Sequence, residues 1–522
     1  MPPSLDLGLE KSLQILGSFD ISTLMINLAI EPEILARNLQ STLELDKKQA
    51  PLVAHELAHF FQTTTTSNGL RMFTLWVDSL VSKWWLIRQA TLFNEGELRA
   101  PIIRNLPPLS SYSEELKIAL LDYTAIVSKQ LYHYGGWQLE PGVAEQGERI
   151  LNNVYVIKDW RLFGHKLAGS LFLMDMRPLD KTEKAIAIGA RHLREGAAKA
   201  IELIQNRLIN GEGQKSFHVS DRERVVRDVH NEPLLDPYYI CNAIYTAIVR
   251  ELPGCDENAS LEEFVAIADV ACMGDNWLIN WQKVQSFHGK ERELVLQSLE
   301  KIDFAPGDVF FHIMATFTRC WRKLSRLKKD FSQSDLVEFQ NALLQEAGGH
   351  KLEDILRNCE VFIDKYFADL VGQTPLIPKT LVAAYEKIFK RGIQFRRETL
   401  KGGAMLIDLL TSPETLFKLI SQMPAIAVGS QVRSWDGRAR GEGLGIDMLS
   451  VRLLHDVTEA LITGNRMCPL HCEIPRGCCN SPSAFCNALS NISGTNYRCD
   501  REQMLSFILR SVNAKRLRWV NG

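Results

Sequence analysis

The 522-residue chain lacks several features that would assign it to a class of protein at once. It has no excess of either charge, because 60 lysines and arginines face 62 aspartates and glutamates, so net charge gives no reason to expect binding to nucleic acid or to an anionic membrane. Its N-terminus, MPPSLDLGLEKSLQILGSFD, has no basic region followed by an apolar one, which argues against a secretory signal. The sequence contains no internal repeat and no low-complexity tract.

The chain also lacks a hydrophobic run long enough to cross a membrane. The most apolar stretch, FTLWVDSLVSKWWLIRQATLF, is interrupted by Asp78, Lys83 and Arg88 at helical spacing, which favours an amphipathic or buried helix. With 46% hydrophobic residues, a chain of this length can bury a large core. We therefore expect a soluble, cytoplasmic protein with no membrane span.

Apolar residues recur at intervals of three and four over most of the chain, which predicts a mainly α protein of the α+β class. The segment 19–30, FDISTLMINLAI, is one of few strand signals and predicts one or two strands of a small N-terminal sheet. The helices are predicted at residues 47–62, 73–93, 113–134, 182–207, 236–252, 261–273, 293–303, 309–329, 334–346, 377–390, 402–411 and 446–463.

His55, Glu56 and His59 form the motif HELAH within residues 54–66, AHELAHFFQTTTT. The helix predicted here is apolar nearly all the way round, so it must be buried. Residues four apart project from one face of a helix, and two buried imidazoles beside a carboxylate would be costly unless a metal binds them. His55 and His59 are therefore candidate zinc ligands, and Glu56 is placed to act as general base on a water molecule. A pair of satisfied core histidines is the alternative.

A third ligand is needed, because two imidazoles do not complete a catalytic zinc site. No third histidine follows in the HExxHxxGxxH arrangement, so we expect a glutamate on a later helix. Glu195, in AIAIGARHLREGAAKAIELI, is preferred because the small residues after it would let its helix pack closely against the HExxH helix. The alternative for Glu195 is a surface pair with Lys199, and the competing ligands are Glu140, Glu145 and Glu148 in LEPGVAEQGERI.

HELAHFFQ and GARHLREGAAKAIE together resemble the two active-site segments of the HExxH…E zinc metallopeptidases, the gluzincins. They are similar in particular to a poorly characterised bacterial group with an HExxHxxQ helix and a later G-x-R-x-L-x-E-G-x-A-x-x-x-E helix. This resemblance covers about the first half of the chain. It implies a zincin-like catalytic core in which His55, His59 and Glu195 bind one catalytic zinc and Glu56 is catalytic.

The same resemblance implies supporting or packing positions for Gln62, Glu202 and Asp269, the last of which lies in a third similar segment, EEFVAIADVACMGDNW. The gap between the second histidine and the glutamate is longer than in the best-known gluzincins. The helices predicted at 73–93 and 113–134 would therefore be inserted between the two halves of the site.

Hydrolysis of an amide creates a negative oxygen that needs a hydrogen-bond donor besides the metal. His192, one turn before Glu195, and Tyr238 and Tyr239 in DPYYICNAIY are the candidates. A packed or capping role is favoured for all three. The strand predicted at 22–30 could also pair with an extended peptide substrate by edge addition.

The eleven cysteines fall into two groups. Scattered cysteines at 241, 255, 272, 320 and 359 are expected to be reduced core thiols, since no secretion signal is present. The others crowd into a segment rich in Ser, Asn, Gly and Pro, and they are Cys468, Cys472, Cys478, Cys479, Cys486 and Cys499. A second, structural zinc would suit such a segment, but the C-x3-C spacing also leaves disulfides or reduced thiols open.

The sequence predicts a zinc metallopeptidase that hydrolyses peptide bonds in a protein or peptide. Its expected regions are a zincin-like core at 1–210, a helical region at 211–460 that completes or covers the site, and a Cys-rich segment at 461–522. The helical region has no catalytic motif and could narrow access to the site or receive a regulatory protein partner. The alternative is a helical interaction or regulatory protein with a structural or vestigial metal site, and a hydrolase of non-peptide amides is a third interpretation.

Overall fold

The computed structural model shows a mainly helical protein with small sheets, as the apolar periodicity predicts. None of the described helices combines the length and apolar character that crossing a lipid bilayer requires.

The division of the chain into three regions at residues 210 and 460 remains a prediction. The structure describes residues 17–21, 24–28, 50–106, 108–139, 141–151, 153–158, 160–166, 169–175, 185–210, 238–252, 260–273, 305–324, 333–348, 351–373, 376–401, 426–428, 431–433, 444–464 and 501–519.

Most of the described helices lie where the apolar periodicity predicts them, although their ends differ, most of all for the helix predicted at 377–390, which continues to Lys401. They are α1 Ala50–Thr64, α2 Ser67–Phe93, α3 Glu114–Tyr134, α4 Pro141–Ala144, α5 Ala190–Asn210, α6 Ile240–Arg250, α7 Leu261–Cys272, α8 Pro306–Leu324, α9 Gln333–Gly348, α10 Leu352–Gln373, α11 Lys379–Lys401, α12 Leu444–Thr463 and α13 Arg501–Ser511. Short 3-10 turns lie at Ile102–Arg104 and Leu109–Ser111. The helices predicted at 293–303 and 402–411 lie outside the described residues.

Two helix predictions need correction. Residues 185–187 form a strand, so the helix predicted from 182 begins only at Ala190. A short apolar run such as AIAI fits a buried strand as well as a helix, and periodicity does not separate the two. Helix α10 was missed, although Leu352, Ile355 and Leu356 are buried at helical spacing and the pattern continues along the helix.

The described strands form four small sheets. Strands β1 Gly17–Asp20, β2 Met25–Leu28, β11 Ile426–Val428 and β12 Gln431–Arg433 pair in that order, and β4 Gln138–Leu139, β10 Ala185–Ala187, β9 Leu171–Asp175, β6 Val154–Ile157 and β5 Glu148–Leu151 form a second sheet in that order. Strand β3 Glu97–Ala100 pairs with β13 Arg516–Trp519, and β7 Arg161–Leu162 pairs with β8 His165–Lys166.

The N-terminal hairpin confirms the strand signal at 19–30 but corrects the position of its edge. Strand β2 is paired on both sides, antiparallel with β1 and parallel with β11, so it offers no edge to a peptide. Among the described strands, β1 lies at the border of this sheet. The distant β11 supplies the partner, which a local sequence pattern does not show.

Helix α1 is enclosed by the elements that surround it, which explains its all-round apolar sequence. It contacts β1, β2, α2, α5 and α11. Its C-terminal end turns sharply into α2, where Thr66 Oγ1 accepts the N–H of Gly69 at 3.0 Å. Glycine is required at 69, because a Cβ there would overlap the carbonyl oxygen of Gln62. Gly69 therefore lets the start of α2 lie close against the last turn of α1.

Candidate metal centre

The HExxH residues lie on the buried helix α1, where the sequence places them. The exposed fractions of His55, Glu56 and His59 are 6%, 4% and 7%. His55 and His59 are one helical turn apart, and their ring centroids are separated by 4.9 Å. Both imidazoles therefore point to one face of α1, which packs against α5.

Helix α5 brings Glu195 to the two imidazoles. His59 Nε2 lies 3.2 Å from His55 Nε2 and 3.1 Å from Glu195 Oε2, and His55 Nε2 lies 3.5 Å from that same oxygen. Ligand atoms arranged tetrahedrally at about 2.0–2.1 Å from a zinc ion are separated by about 3.3–3.4 Å. The three atoms therefore fit three corners of a zinc site. Within the described residues, the side chains of His55, His59 and Glu195 form a group that could hold one metal ion, and we call it the metal group.

Glu202 supports the site from the far side of His55. Its Oε2 lies 3.2 Å from His55 Nδ1, and its Oε1 accepts a hydrogen bond of 2.6 Å from Lys199. A carboxylate beside the second ring nitrogen of a histidine favours the tautomer whose other nitrogen is free to bind a metal. Glu202 thus lies where the resemblance implies a supporting residue, and Lys199 pairs with Glu202 rather than with the glutamate of the metal group.

The carboxyl of Glu56 is buried next to the candidate ligands. Its Oε2 has no hydrogen-bond partner within the described structure. Burial raises the pKa of this carboxyl to about 8, with His55 opposing the shift and Glu195 and Glu202 adding to it. Oε2 is therefore available to accept a proton from a nearby water once the carboxyl is ionised.

The charges of the three candidate ligands depend on one another. Burial would lower the pKa of His55, but Glu195, Glu202 and Glu56 outweigh it and raise the pKa to about 10. Burial lowers the pKa of His59, although Glu195 opposes this. Burial would raise the pKa of Glu195, yet the two histidines hold it well below its usual range. His55 therefore carries a proton opposite the charged carboxylate of Glu195, and metal binding would release that proton, because only a neutral imidazole binds a metal.

Comparisons with protein families, with curated proteins and with solved structures find no match to this chain. The resemblance to the HExxH…E metallopeptidases therefore rests on the residues of α1, α5 and α7. The support for a metal centre comes from the geometry of His55, His59 and Glu195.

Two aromatic rings flank the metal group. The ring of Tyr238 lies 5.7 Å from that of His55, and the ring of Phe19, on β1, stacks 6.5 Å from that of His59. Tyr238 is thus brought to the site, as a candidate donor must be. Phe19 was not singled out from the sequence, because its place beside His59 depends on the packing of β1 against α1.

The other two donor candidates cap helices. His192 is buried and accepts the backbone N–H of Gly189 on its Nδ1 at 3.3 Å, at the start of α5. Burial, assisted by Arg191, lowers the pKa of His192 to about 3. Tyr239 is buried before α6, where its carbonyl accepts the N–H of Ala243 at 2.7 Å. Both positions agree with the packed or capping role that the sequence favours.

Asp269 lies in a separate buried network away from the metal group. It forms an ion pair with Arg396 of α11 and accepts a hydrogen bond of 3.0 Å from Gln340 of α9. Arg396 also donates to Thr65 Oγ1 at 3.2 Å, at the end of α1. Asp269 therefore joins α7, α9 and α11 and serves packing.

Gln62 contacts the backbone of α5, where its Nε2 donates to the carbonyl of Arg194. Arg194 in turn donates to the carbonyl of His59 at 3.0 Å and to Thr63 Oγ1. Sequence reasoning missed Arg194. Its signal was present, because position 194 falls in the same stripe of α5 as the buried Ala197 and Ile201, so a buried cation could have been expected there.

The two competing glutamates that the structure describes are not among the side chains gathered at the histidines. Glu148 lies on β5 with its side chain exposed and 3.1 Å from Lys158, and Glu145 is also exposed. Glu140 lies outside the described residues. The six C-terminal cysteines, and the structural zinc, disulfides or free thiols considered for them, also lie outside the described residues, and that part of the chain keeps its sequence-based predictions.

Proposed function

We propose that this chain is a zinc-dependent metallopeptidase of zincin-like architecture. His55, His59 and Glu195 hold the ion, and Glu56 is the general base. The observation that carries this proposal is the triangle of ligand atoms, 3.1–3.5 Å on a side, built from helices α1 and α5. Two imidazoles and one carboxylate are the protein ligands of a common type of catalytic zinc site, which keeps one position open.

A zinc ion at this place would lower the pKa of a coordinated water to about 7 and polarise the substrate carbonyl. Glu56 would accept one proton from the attacking water molecule as the water oxygen bonds to the carbonyl carbon. The same carboxyl afterwards gives the proton to the amide nitrogen, so the carbon–nitrogen bond breaks and an amine leaves. The buried Glu56 Oε2, which has no hydrogen-bond partner within the described residues, is the atom that would hold the proton between the two steps.

Tyr238 is the candidate donor to the negative oxygen that forms in this reaction. Tyr238→Phe keeps the ring beside His55 and removes the hydroxyl, so we expect kcat to fall about 10²–10³-fold, as for the loss of one such donor, while zinc stays bound. Steady-state kinetics with parallel metal analysis would measure this. Unchanged kcat would show that Tyr238 only packs against His55.

The position of β1 favours a peptide as substrate. Its described residues pair with β2 on one side, and its Phe19 lies against His59. An extended chain that added to the other side of β1 would run beside the metal group, since main-chain pairing at a sheet border is a common mode of peptide recognition. We therefore place the proposed pairing of a peptide substrate at β1, residues 17–20, instead of at the strand predicted at 22–30.

The test of this function is the incubation of the zinc-loaded protein with a diverse peptide pool, followed by mass spectrometry. We expect new peptide termini with zinc, none after removal of zinc by a chelator, and recovery when zinc is restored. N-methylation of backbone amides next to a cleavage site should slow cleavage, because it blocks strand pairing. A protein that binds zinc and cleaves no peptide would instead favour a structural metal in an interaction protein, or a non-peptide amide as substrate.

Two further expectations concern the partner and the cellular location of the protein, not the metal group. A regulatory partner for the helical region and a cytoplasmic location stay predictions from the sequence. Activity of full-length protein in the peptide assay without any added partner would contradict the need for such a partner.

A further inference from the structure

The metal group depends on the relative position of two helices. His55 and His59 share α1, so their separation is set by helical geometry. Glu195 is 136 residues further along the chain than His59, on α5, and nothing local fixes its distance from them. A displacement of about 1 Å is enough to spoil a functional constellation, so contacts between α1 and α5 near the ligands must restrain this distance.

Two side chains link the helices reciprocally at this point. Arg194 of α5 donates from Nη2 to the carbonyl of His59 at 3.0 Å, and Gln62 of α1 donates from Nε2 to the carbonyl of Arg194 in a long hydrogen bond of 3.4 Å. The first acceptor is the carbonyl of the ligand His59. The second is the carbonyl of Arg194, the residue directly before the ligand Glu195. These contacts therefore act on the main chain at the metal group itself.

The bond from Arg194 is not needed to satisfy the carbonyl of His59. Thr63 Oγ1 already donates to that carbonyl at 2.9 Å. Arg194 is only 7% exposed, and within the described residues its guanidinium bonds to a carbonyl and a hydroxyl but to no carboxylate. Arg396, which is equally buried, has Asp269 as its partner. Burial lowers the pKa of the Arg194 guanidinium, and the nearby charge of Glu195 offsets this only in part. A buried cation that has no carboxylate in an ion pair is costly, so stability alone gives little reason for an arginine at 194.

We propose that Arg194 and Gln62 are positioning residues that set the distance between His59 and Glu195 and thereby the affinity for the metal. This inference rests on the proposed metal function. The two residues do not touch the ion or the substrate. They act through the backbone of His59 and through the backbone on the N-terminal side of Glu195.

The test measures zinc affinity of the full chain by competition with a chromophoric chelator, together with the thermal unfolding midpoint. Arg194→Met keeps the apolar part of the side chain and removes its donors, and we expect the zinc dissociation constant to rise about 10–100-fold, as for other residues that orient metal ligands. Gln62→Leu should shift it in the same direction by a smaller factor.

Gln340→Leu is the matched control. Gln340 is also buried, donates across helices to the carbonyl of Ala266 at 3.1 Å and to Asp269 at 3.0 Å, and has an Oε1 without a partner in the described structure, as Gln62 does. Both leucine variants are expected to lower the unfolding midpoint, but only Gln62→Leu should weaken zinc binding. If Arg194→Met does not fold, this pair decides the question.

Zinc binding unchanged in Gln62→Leu and Arg194→Met, or weakened equally in Gln340→Leu, would overturn the positioning role and leave the metal site intact. A wild-type protein that binds no zinc would instead overturn the proposed function, and the positioning role with it. The two failures are therefore distinguishable from the wild-type titration alone.

Discussion

Glu56→Gln is expected to lower peptide hydrolysis about 10²–10⁴-fold, the range for loss of a general acid–base group, while the protein keeps its zinc. Glutamine has nearly the shape of glutamate but does not accept the proton of the attacking water. Glu56 contributes none of the three candidate ligand atoms, which belong to His55, His59 and Glu195, so metal binding should persist. The measurement is kcat on a cleaved peptide, with zinc per chain determined on the same sample.

Loss of fold should not account for this effect. Burial raises the pKa of Glu56, so a neutral side chain at 56 suits the interior at least as well as a carboxylate, and the unfolding midpoint should not fall. Glu148→Gln, at an exposed position on β5, is the control and should retain wild-type turnover. The alternative reading as an interaction protein expects no change for Glu56→Gln. Turnover close to wild type would remove Glu56 from the reaction.

Glu195→Ala is expected to lose one zinc ion per chain after dialysis, because His55 and His59 alone do not complete the ligand set of a zinc site. Zinc should also stop stabilising the fold. For wild type, free zinc at 100 times its dissociation constant adds about 2.7 kcal/mol to the free energy of unfolding. Metal analysis by mass spectrometry and thermal unfolding with and without zinc would measure both effects.

Glu148→Ala is the matched control for this experiment, because Glu148 is one of the competing glutamates that the structure describes and its side chain is exposed. It should keep a full equivalent of zinc and the full zinc-dependent shift in unfolding. If Glu195→Ala kept its zinc instead, the metal would have to lie elsewhere, and the C-terminal cysteines would be the next residues to replace.

The HExxH helix could be predicted from the sequence because its information is local. A period of 3.6 residues places His55 and His59 on one face, and the apolar residues on every side of them require burial. Glu195 could be chosen over Glu148 because its helix pattern is strong, whereas Pro141 and Gly142 interrupt the competing stretch. In each case a run of consecutive residues contains the signal.

The sheets could not be predicted in the same way. The described strands are two to five residues long, and every residue of β9 is buried, so no alternation distinguishes it from a helix segment. Strand pairing also joins distant residues, as between β2 and β11. Helix α10, in contrast, could have been predicted, because the helical spacing of its apolar residues is visible in the sequence.

The sequence by itself determined that this chain is mainly helical, that His55, Glu56 and His59 share a buried helix, and that a glutamate on a second helix would be needed with them. Only the tertiary structure decided that Glu195 Oε2 lies 3.1 Å from His59 and that Arg194 links the two helices there. The physical reason is that helical periodicity acts over a few residues. The distance between two helices is set by packing between parts of the chain that lie far apart in sequence.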